Sequence, residues 1–229
     1  MSFFKIITTP TPVAGDEKVG DTDFKSFYPA VNTNMQWCTL HPYVEQAEEM
    51  YIIPYISQEF YEEMETEYQL SGTIADEEKA KAFKYLRTAL AYYTMYEAIP
   101  HLNARIADAG INENMNGDTA PVRQWVFNNS QWKACKKGYA FLDKALAYME
   151  AQIQDGNTDF DTFKDSDAYT ITRDLLIPTA SIFNEYYNIQ KSRKAYVALR
   201  PFIRKAEQLH LKPFLCELYQ EISTQQYRS

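Results

Sequence analysis

Residues 24–62 align with residues 183–221 at a constant offset of 159, without a gap over 39 positions, and this internal repeat restricts the fold more than any other feature of the chain. Phe24, Tyr28, Leu40, Pro42, Ala47, Glu48, Pro54 and Glu62 meet Phe183, Tyr187, Leu199, Pro201, Ala206, Glu207, Pro213 and Glu221. Between these identities the sequence keeps side-chain type, pairing Phe27 with Tyr186, Trp37 with Tyr196, Tyr43 with Phe202, Val44 with Ile203, Ile52 with Leu211 and Tyr55 with Phe214. Each proline is followed by a ring and then an aliphatic residue, a coincidence that marks a duplicated unit. Each copy reads as a short aromatic helix, a polar turn, a cap at Thr33 or Ser192, and a longer helix bent by its two prolines. The residues preceding Pro42 and Pro201 leave open whether these prolines start helices or kink them. Leu40, Tyr43, Val44, Ala47 and Met50, with Leu199, Phe202, Ile203, Ala206 and Leu209, form one apolar stripe per copy, read as core.

Two helices are expected between the copies. Asp76 can cap a helix with Glu77 and Glu78 in its first turn, running on Phe83, Leu86, Leu90 and Tyr93 to about Ala109, kinked near Pro100 and ended by Gly110. A polar loop over Asn112 to Asp118 follows. From a cap at Ser130 the residues Trp132, Cys135, Tyr139, Leu142, Leu146, Met149 and Ile153 recur at spacings of three and four on one face, and Gly156 ends that helix. The predicted fold is therefore all-α: a helical bundle with kinked helices, in which two pseudo-repeated helical units flank a central helical pair. Residues 1–21, with Thr-Pro-Thr-Pro and little periodicity, read as an extended N-terminal arm, and residues 22–229 as a single all-helical domain.

Charge separates the copies that packing makes alike. The chain carries 23 Lys and Arg against 31 Asp and Glu, a net charge of −8, which argues against coating nucleic acid or anionic lipid. No lysine or arginine occurs between Ser26 and Glu78, while glutamates including Glu45, Glu48, Glu49, Glu59 and Glu62 gather there. The second copy inverts this with Lys191, Arg193, Lys194, Arg200, Arg204, Lys205 and Lys212, and Glu45 aligns with Arg204. One element in acidic and basic editions can pair within the chain or head to tail with a neighbouring subunit, giving a ring where the rotation closes. The expected subunit-interface residues are Glu45, Glu48, Glu49, Arg193, Arg200, Arg204 and Lys205.

Catalytic patterns are missing. His41, His101 and His210 stand alone, and no nucleophile elbow, phosphate loop or dinucleotide fingerprint occurs, so no catalytic residue, cofactor or metal is expected. Residues 155–161 have the alternating acids of a calcium loop, but Phe160 replaces the required glycine and Ser166 the closing glutamate; Phe160 and Phe163 read as anchors instead. Glu48 and Glu207, repeated carboxylates, could form an acid pair but more readily balance local charge or cap helices. Lys133, Lys136 and Lys137 beside Trp132 read as a solvated face. Cys38, Cys135 and Cys216, scattered and flanked by apolar residues, read as buried thiols of a reducing compartment. Neither a signal peptide nor a membrane span is expected.

The phrases over residues 47–56 (AEEMYIIPYI), 179–187 (TASIFNEYY) and 192–207 (SRKAYVALRPFIRKAE) resemble those of a largely uncharacterised family of gut Bacteroidales and their tailed phages. The resemblance covers the two repeat copies; residues 75–165 take no part in it. In phage the family is associated with the head-tail region, and its size and helical class resemble connector (adaptor) proteins that form a ring beneath the portal. The resemblance implies a structural virion protein, not an enzyme, at the neck or head-tail junction, assembled in the bacterial cytoplasm. Its partners would be further copies of itself, the portal protein and neighbouring neck or tail proteins, with genomic DNA passing through an acidic lumen without specific binding, and no membrane. A non-catalytic cytoplasmic scaffold or interaction module of prophage or bacterial origin would share these sequence features.

Overall fold

The computed structural model describes residues 2–5, 17–102, 104–107, 110–113, 123–171, 173, 175–190, 192–216 and 218–219. The architecture is all-α, as expected, with one short hairpin. Helices α1 (Phe24–Phe27), α2 (Trp37–Ala47), α3 (Ile53–Ile56), α4 (Gln58–Ser71) and α5 (Glu77–Leu102) precede antiparallel strands β1 (Ala104–Ala107) and β2 (Gly110–Glu113). The long α6 (Gln124–Gln154) is followed by α7 (Asp161–Lys164), α8 (Asp167–Thr170), α9 (Ala180–Tyr186), α10 (Arg193–Ala206) and α11 (Lys212–Leu215). None of the helices described is long and apolar enough to cross a membrane.

The two copies adopt the same succession of shapes. Helices α1 and α9 end at the equivalent Tyr28 and Tyr187; α2 and α10 end at the equivalent Ala47 and Ala206. A π-helical turn follows each, Glu48–Ile52 and Glu207–Leu211, then the short α3 or α11. Each copy then turns through a left-handed residue at the same place, Ser57 at φ 74° and Cys216 at φ 48°. The prolines account for the wide turns. Pro54 and Pro213 cannot donate to the carbonyl four residues back, and bonding to the fifth residue, seen where Ile53 N–H reaches Glu48 O and Lys212 N–H reaches Glu207 O, steps past the missing donors. Pro42 and Pro201 lie inside α2 and α10, so they interrupt helices and do not start them.

The start of α2 departs from expectation. Ser192 caps α10 by accepting from Ala195 N–H, but α2 begins at Trp37, four residues beyond its expected cap Thr33. Residues 33–37 are tied to the chain before α1: Val19 N–H donates to Met35 O at 2.8 Å, Gly20 N–H to Thr33 O at 3.0 Å, and Trp37 N–H to Glu17 O at 2.7 Å. These bonds hold a turn over residues 32–35 and an extended Gln36 in place of helix.

The chain forms two compact units where the sequence suggested one domain. The first comprises residues 1–54 and 62–145, the second residues 55–61 and 146–229, so the divisions run through α3, α4 and α6. In the first unit α5 lies across α2 and its π-helical turn, burying Leu40, Val44, Ala47 and Ile52 completely. Helix α6 meets α5 through rings, Tyr92 stacked on Phe141 and Tyr93 edge-on to Tyr139, with Gly138 admitting the Tyr93 ring. Residues 2–5 belong to this core and are no free arm: Ser2, Phe3 and Phe4 are buried, and Phe3 meets Phe83 edge-on at 4.8 Å. Residues 6–16 of the expected arm lie outside the described residues.

Several boundaries move. Helix α5 stops at Leu102 and Gly110 opens β2, so the expected extension to Ala109 is replaced by the hairpin, with Pro100 in the last turn of α5. Asn112 belongs to β2, and residues 114–118 of the expected loop lie outside the described residues. Helix α6 starts at Gln124, placing Ser130 inside it and not at its cap; Leu142, Leu146, Met149 and Ile153 are buried, whereas Trp132 is exposed. In the second unit Phe160 and Phe163 are fully buried and lie 6.0 and 5.8 Å from the Phe60 ring, the anchoring expected of them. Cys38 and Cys216 are exposed and Cys135 partly so; the expectation of buried thiols fails because two of them lie outside the apolar stripes.

Candidate functional site

Two equivalent helix faces centred on prolines carry the charged residues singled out by sequence. On α2 the face comprises His41, Pro42, Glu45, Gln46 and Glu49; on α10 the same positions hold Arg200, Pro201, Arg204, Lys205 and Gln208. A proline in mid-helix presents no N–H, and its ring stands on the solvent side with charged neighbours at intervals of three and four. Glu45 and Glu49 are exposed, and Glu45 Oε1 lies 3.8 Å from His41 Nδ1. Around Pro201, Arg200, Arg204, Lys205 and Gln208 line a shallow groove of about 220 Å³. Arg204 and Lys205 are exposed and Arg200 is half-buried. The α2 face is therefore acidic and the α10 face basic on one shared backbone plan.

Glu48 and Arg193 leave the expected interface set, because both are buried and engaged inside their own units. Glu48 Oε1 accepts from the Ser2 hydroxyl at 2.7 Å and from Phe3 N–H at 2.9 Å, which fastens the N-terminal segment to the π-helical turn. Arg193 pairs with Glu150 of α6. Glu207 repeats the role of Glu48: buried at the start of its π-helical turn, it accepts from Leu176 N–H at 2.8 Å and from the Tyr219 hydroxyl at 3.2 Å. The repeated carboxylates thus each hold a preceding segment of chain through its backbone N–H, a role other than the charge balancing or helix capping expected of them.

One apolar cluster of the second unit is built from Leu175, Ala180 and Tyr196 with Phe183, Ile189 and Ile203 against them. Phe183 meets Tyr196 at 6.0 Å as Phe24 meets Trp37 at 6.1 Å in the first copy. The Tyr196 hydroxyl donates to Ile177 O, and burial pushes its pKa up to about 12 against the opposing pull of Arg193. The reading of both stripes as core holds for Leu40, Val44 and Ala47 of the first copy, with Tyr43 half-buried and Met50 exposed, and fails for most of the second, where Leu199 and Ile203 are half-buried. On α10 and its extension Phe202 is 70% exposed and Leu209 59%, and Ala206 is exposed too. Periodicity could not reveal this, since it marks an apolar face without saying what lies on it.

A cluster that sequence reasoning missed lies under α1. Asp23 accepts from the Arg87 guanidinium and the Tyr68 hydroxyl, and its other oxygen accepts from Lys5 N–H at 3.1 Å. The Arg87 guanidinium sits among the rings of Phe4, Phe27, Tyr68 and Phe83, 4.3 to 5.4 Å from their centres. Burial and the bond to Asp23 push the Tyr68 hydroxyl up to about 12. These groups are consumed by one another and fix the N-terminal segment. Among the described residues no cluster of His, Cys, Asp and Glu has the arrangement to hold a metal ion.

No curated protein and no solved structure matches the chain. Residues 52–173 match a family of unknown function, DUF6712. The match takes in α4, α5, the hairpin and α6, the stretch left out of the resemblance drawn from the repeat copies, and includes only the last residues of the first copy. With more than half its length inside that match, the chain belongs to the DUF6712 family, whose function is unknown.

Proposed function

We propose that this protein is a non-catalytic structural subunit that joins copies of itself head to tail, the acidic α2 face of one against the basic α10 groove of the next. The observation that carries this reading is the charge inversion at the equivalent, exposed Glu45 and Arg204, with exposed Glu49 beside the one and exposed Lys205 beside the other. Paired faces of opposite sign steer association and fix register. A heterologous contact of this kind closes into a ring when the rotation per subunit divides a full turn. We further place the assembly at a virion neck, as a head-tail connector ring below the portal that passes genomic DNA without gripping it. That placement is supported by the family resemblance of the repeat phrases and by the net charge of −8.

Sedimentation and light scattering of the purified chain across a salt series test the contact. The expected result is an oligomer at low salt that dissociates as screening rises. E45R and R204E alone each weaken assembly, and the E45R/R204E double variant restores it. Assembly indifferent to salt and to all three variants overturns the reading.

A further inference from the structure

The two copies differ in what lies on their apolar stripes. In the first, α5 covers Leu40, Val44 and Ala47; His101 of α5 stacks on Tyr43 at 5.6 Å, Tyr93 stacks on Tyr51 at 4.5 Å, and the Tyr51 hydroxyl donates to Glu97 at 2.6 Å. The second copy keeps the stripe, with Leu199, Phe202 and Ala206 at the places of Leu40, Tyr43 and Ala47, and His210 at that of Tyr51. Yet Phe202 and, at 84%, Phe214 stand exposed where their counterparts Tyr43 and Tyr55 are half-buried, and Leu209 is exposed as its counterpart Met50 is. A backbone unit whose twin needs a helix across it is left with that face open.

We propose that this stripe, Leu199, Phe202, Ala206 and Leu209, is the docking face for an acidic amphipathic helix of another protein, seated as α5 is seated on the first copy. The twin supplies the occupant's shape: a helix with a ring-bearing and small-residue stripe, carrying a carboxylate near the place of Glu97, where it meets His210. Charge supplies its sign, because Lys205 and Lys212 border the stripe and are exposed. A second copy of this chain does not fit the same demand. Its exposed tryptophans, Trp125 and Trp132 on α6, stand beside exposed Lys133 and Lys136, while its acidic α2 face and acidic α4 each offer one exposed large apolar side chain, Met50 and Leu70, and not a stripe. This docking face adjoins the Pro201 groove and shares Lys205 with it, but its apolar residues lie outside that groove, so the proposal and the assembly reading above are tested by different variants.

The probe is a labelled peptide with the sequence of α5, residues 77–102, and its K81E/K84E version, titrated into the full-length protein by fluorescence anisotropy. Saturable binding is expected, tighter for the acidic version at low salt. F202E, at a site exposed enough to leave the helical circular dichroism unchanged, weakens it by about tenfold or more, while M50E on the first copy leaves it unaltered. Absence of saturable binding by both peptides, or binding equal in wild type and F202E, overturns the proposal. So does loss of self-association in F202E by sedimentation, which would make a second copy the occupant. The E45R/R204E swap reads assembly and F202E reads docking, so either can fail without the other.

Discussion

Replacing Asp23 with asparagine removes one charge of a buried pair and leaves Arg87 in place. Asp23 and Arg87 are each under a tenth exposed, and Asp23 ties together Lys5, Tyr68 and Arg87. Breaking a buried ion pair by removing one partner costs about 3–5 kcal/mol, because the remaining charge is stranded in a poorly solvated place. The four rings around the guanidinium return part of this, about 0.5–2 kcal/mol. The net loss for D23N is then about 1–4.5 kcal/mol, or a fall in Tm of about 2–18 °C for a chain of this size. Urea unfolding followed by circular dichroism should show a lower midpoint with unchanged slope. The D23L/R87M double variant, which removes both charges and refills the volume, should recover at least half of the loss. A D23N loss below about 0.5 kcal/mol, or a double variant no better than D23N, refutes the claim that this pair fastens the N-terminal segment.

Two further outcomes are expected. Tyr68 and Tyr196 are each held up at about 12 against an ordinary 10, chiefly by burial, so the folded state keeps protons that the unfolded chain releases. Their contribution is complete below pH 10 and is lost as pH rises toward 12; a phenolate absorbance titration should show these two ionising with unfolding, while earlier ionisation in a folded chain contradicts their burial. A Cβ added at Gly138 would come within 2.8 Å of the Tyr93 ring, which is fully buried between its neighbours and cannot yield. G138A should therefore lower stability by about 1–2 kcal/mol in thermal denaturation despite the better helix propensity of alanine, worth about 1 kcal/mol; a stabilised G138A would show that α5 and α6 do not meet there.

Periodicity and punctuation made the repeat, the helices and their all-α packing legible, because prolines and apolar spacing act locally. The π-helical turns were not, since they arise from how a missing N–H at Pro54 or Pro213 is accommodated, and several carbonyl pairings answer that need. The end of α5 was misread for a related reason: Gly110 signals a break but not whether helix or hairpin precedes it. The Asp23–Arg87 cluster joins residues 64 positions apart, a distance over which composition carries no pairing information. Of the expected interface set, exposure retains Glu45, Glu49, Arg204 and Lys205, with Arg200 half-buried. Charge counting could not separate these from Glu48 and Arg193, because a carboxylate or guanidinium at a helix position has the same sequence signature whether it faces water or a buried partner, a backbone N–H for Glu48 and the Glu150 carboxylate for Arg193.

What the copies kept and what they changed separates holding from recognition. Glu48 and Glu207 remain buried, and each accepts a backbone N–H from chain that precedes its own copy, Phe3 in one and Leu176 in the other. A buried carboxylate satisfied in this way is costly to lose, since its removal leaves an orphaned donor in the core. The ring contact of Phe24 with Trp37 survives as that of Phe183 with Tyr196 for the same reason. At solvent-facing positions no such constraint acts, and there Glu45 stands opposite Arg204 in the alignment. Random drift at exposed sites mixes signs, whereas this chain has no lysine or arginine from Phe27 to Glu77 and six from Arg193 to Lys212. That separation, on a backbone unit held constant by its buried contacts, is what the proposed contact between acidic and basic faces requires.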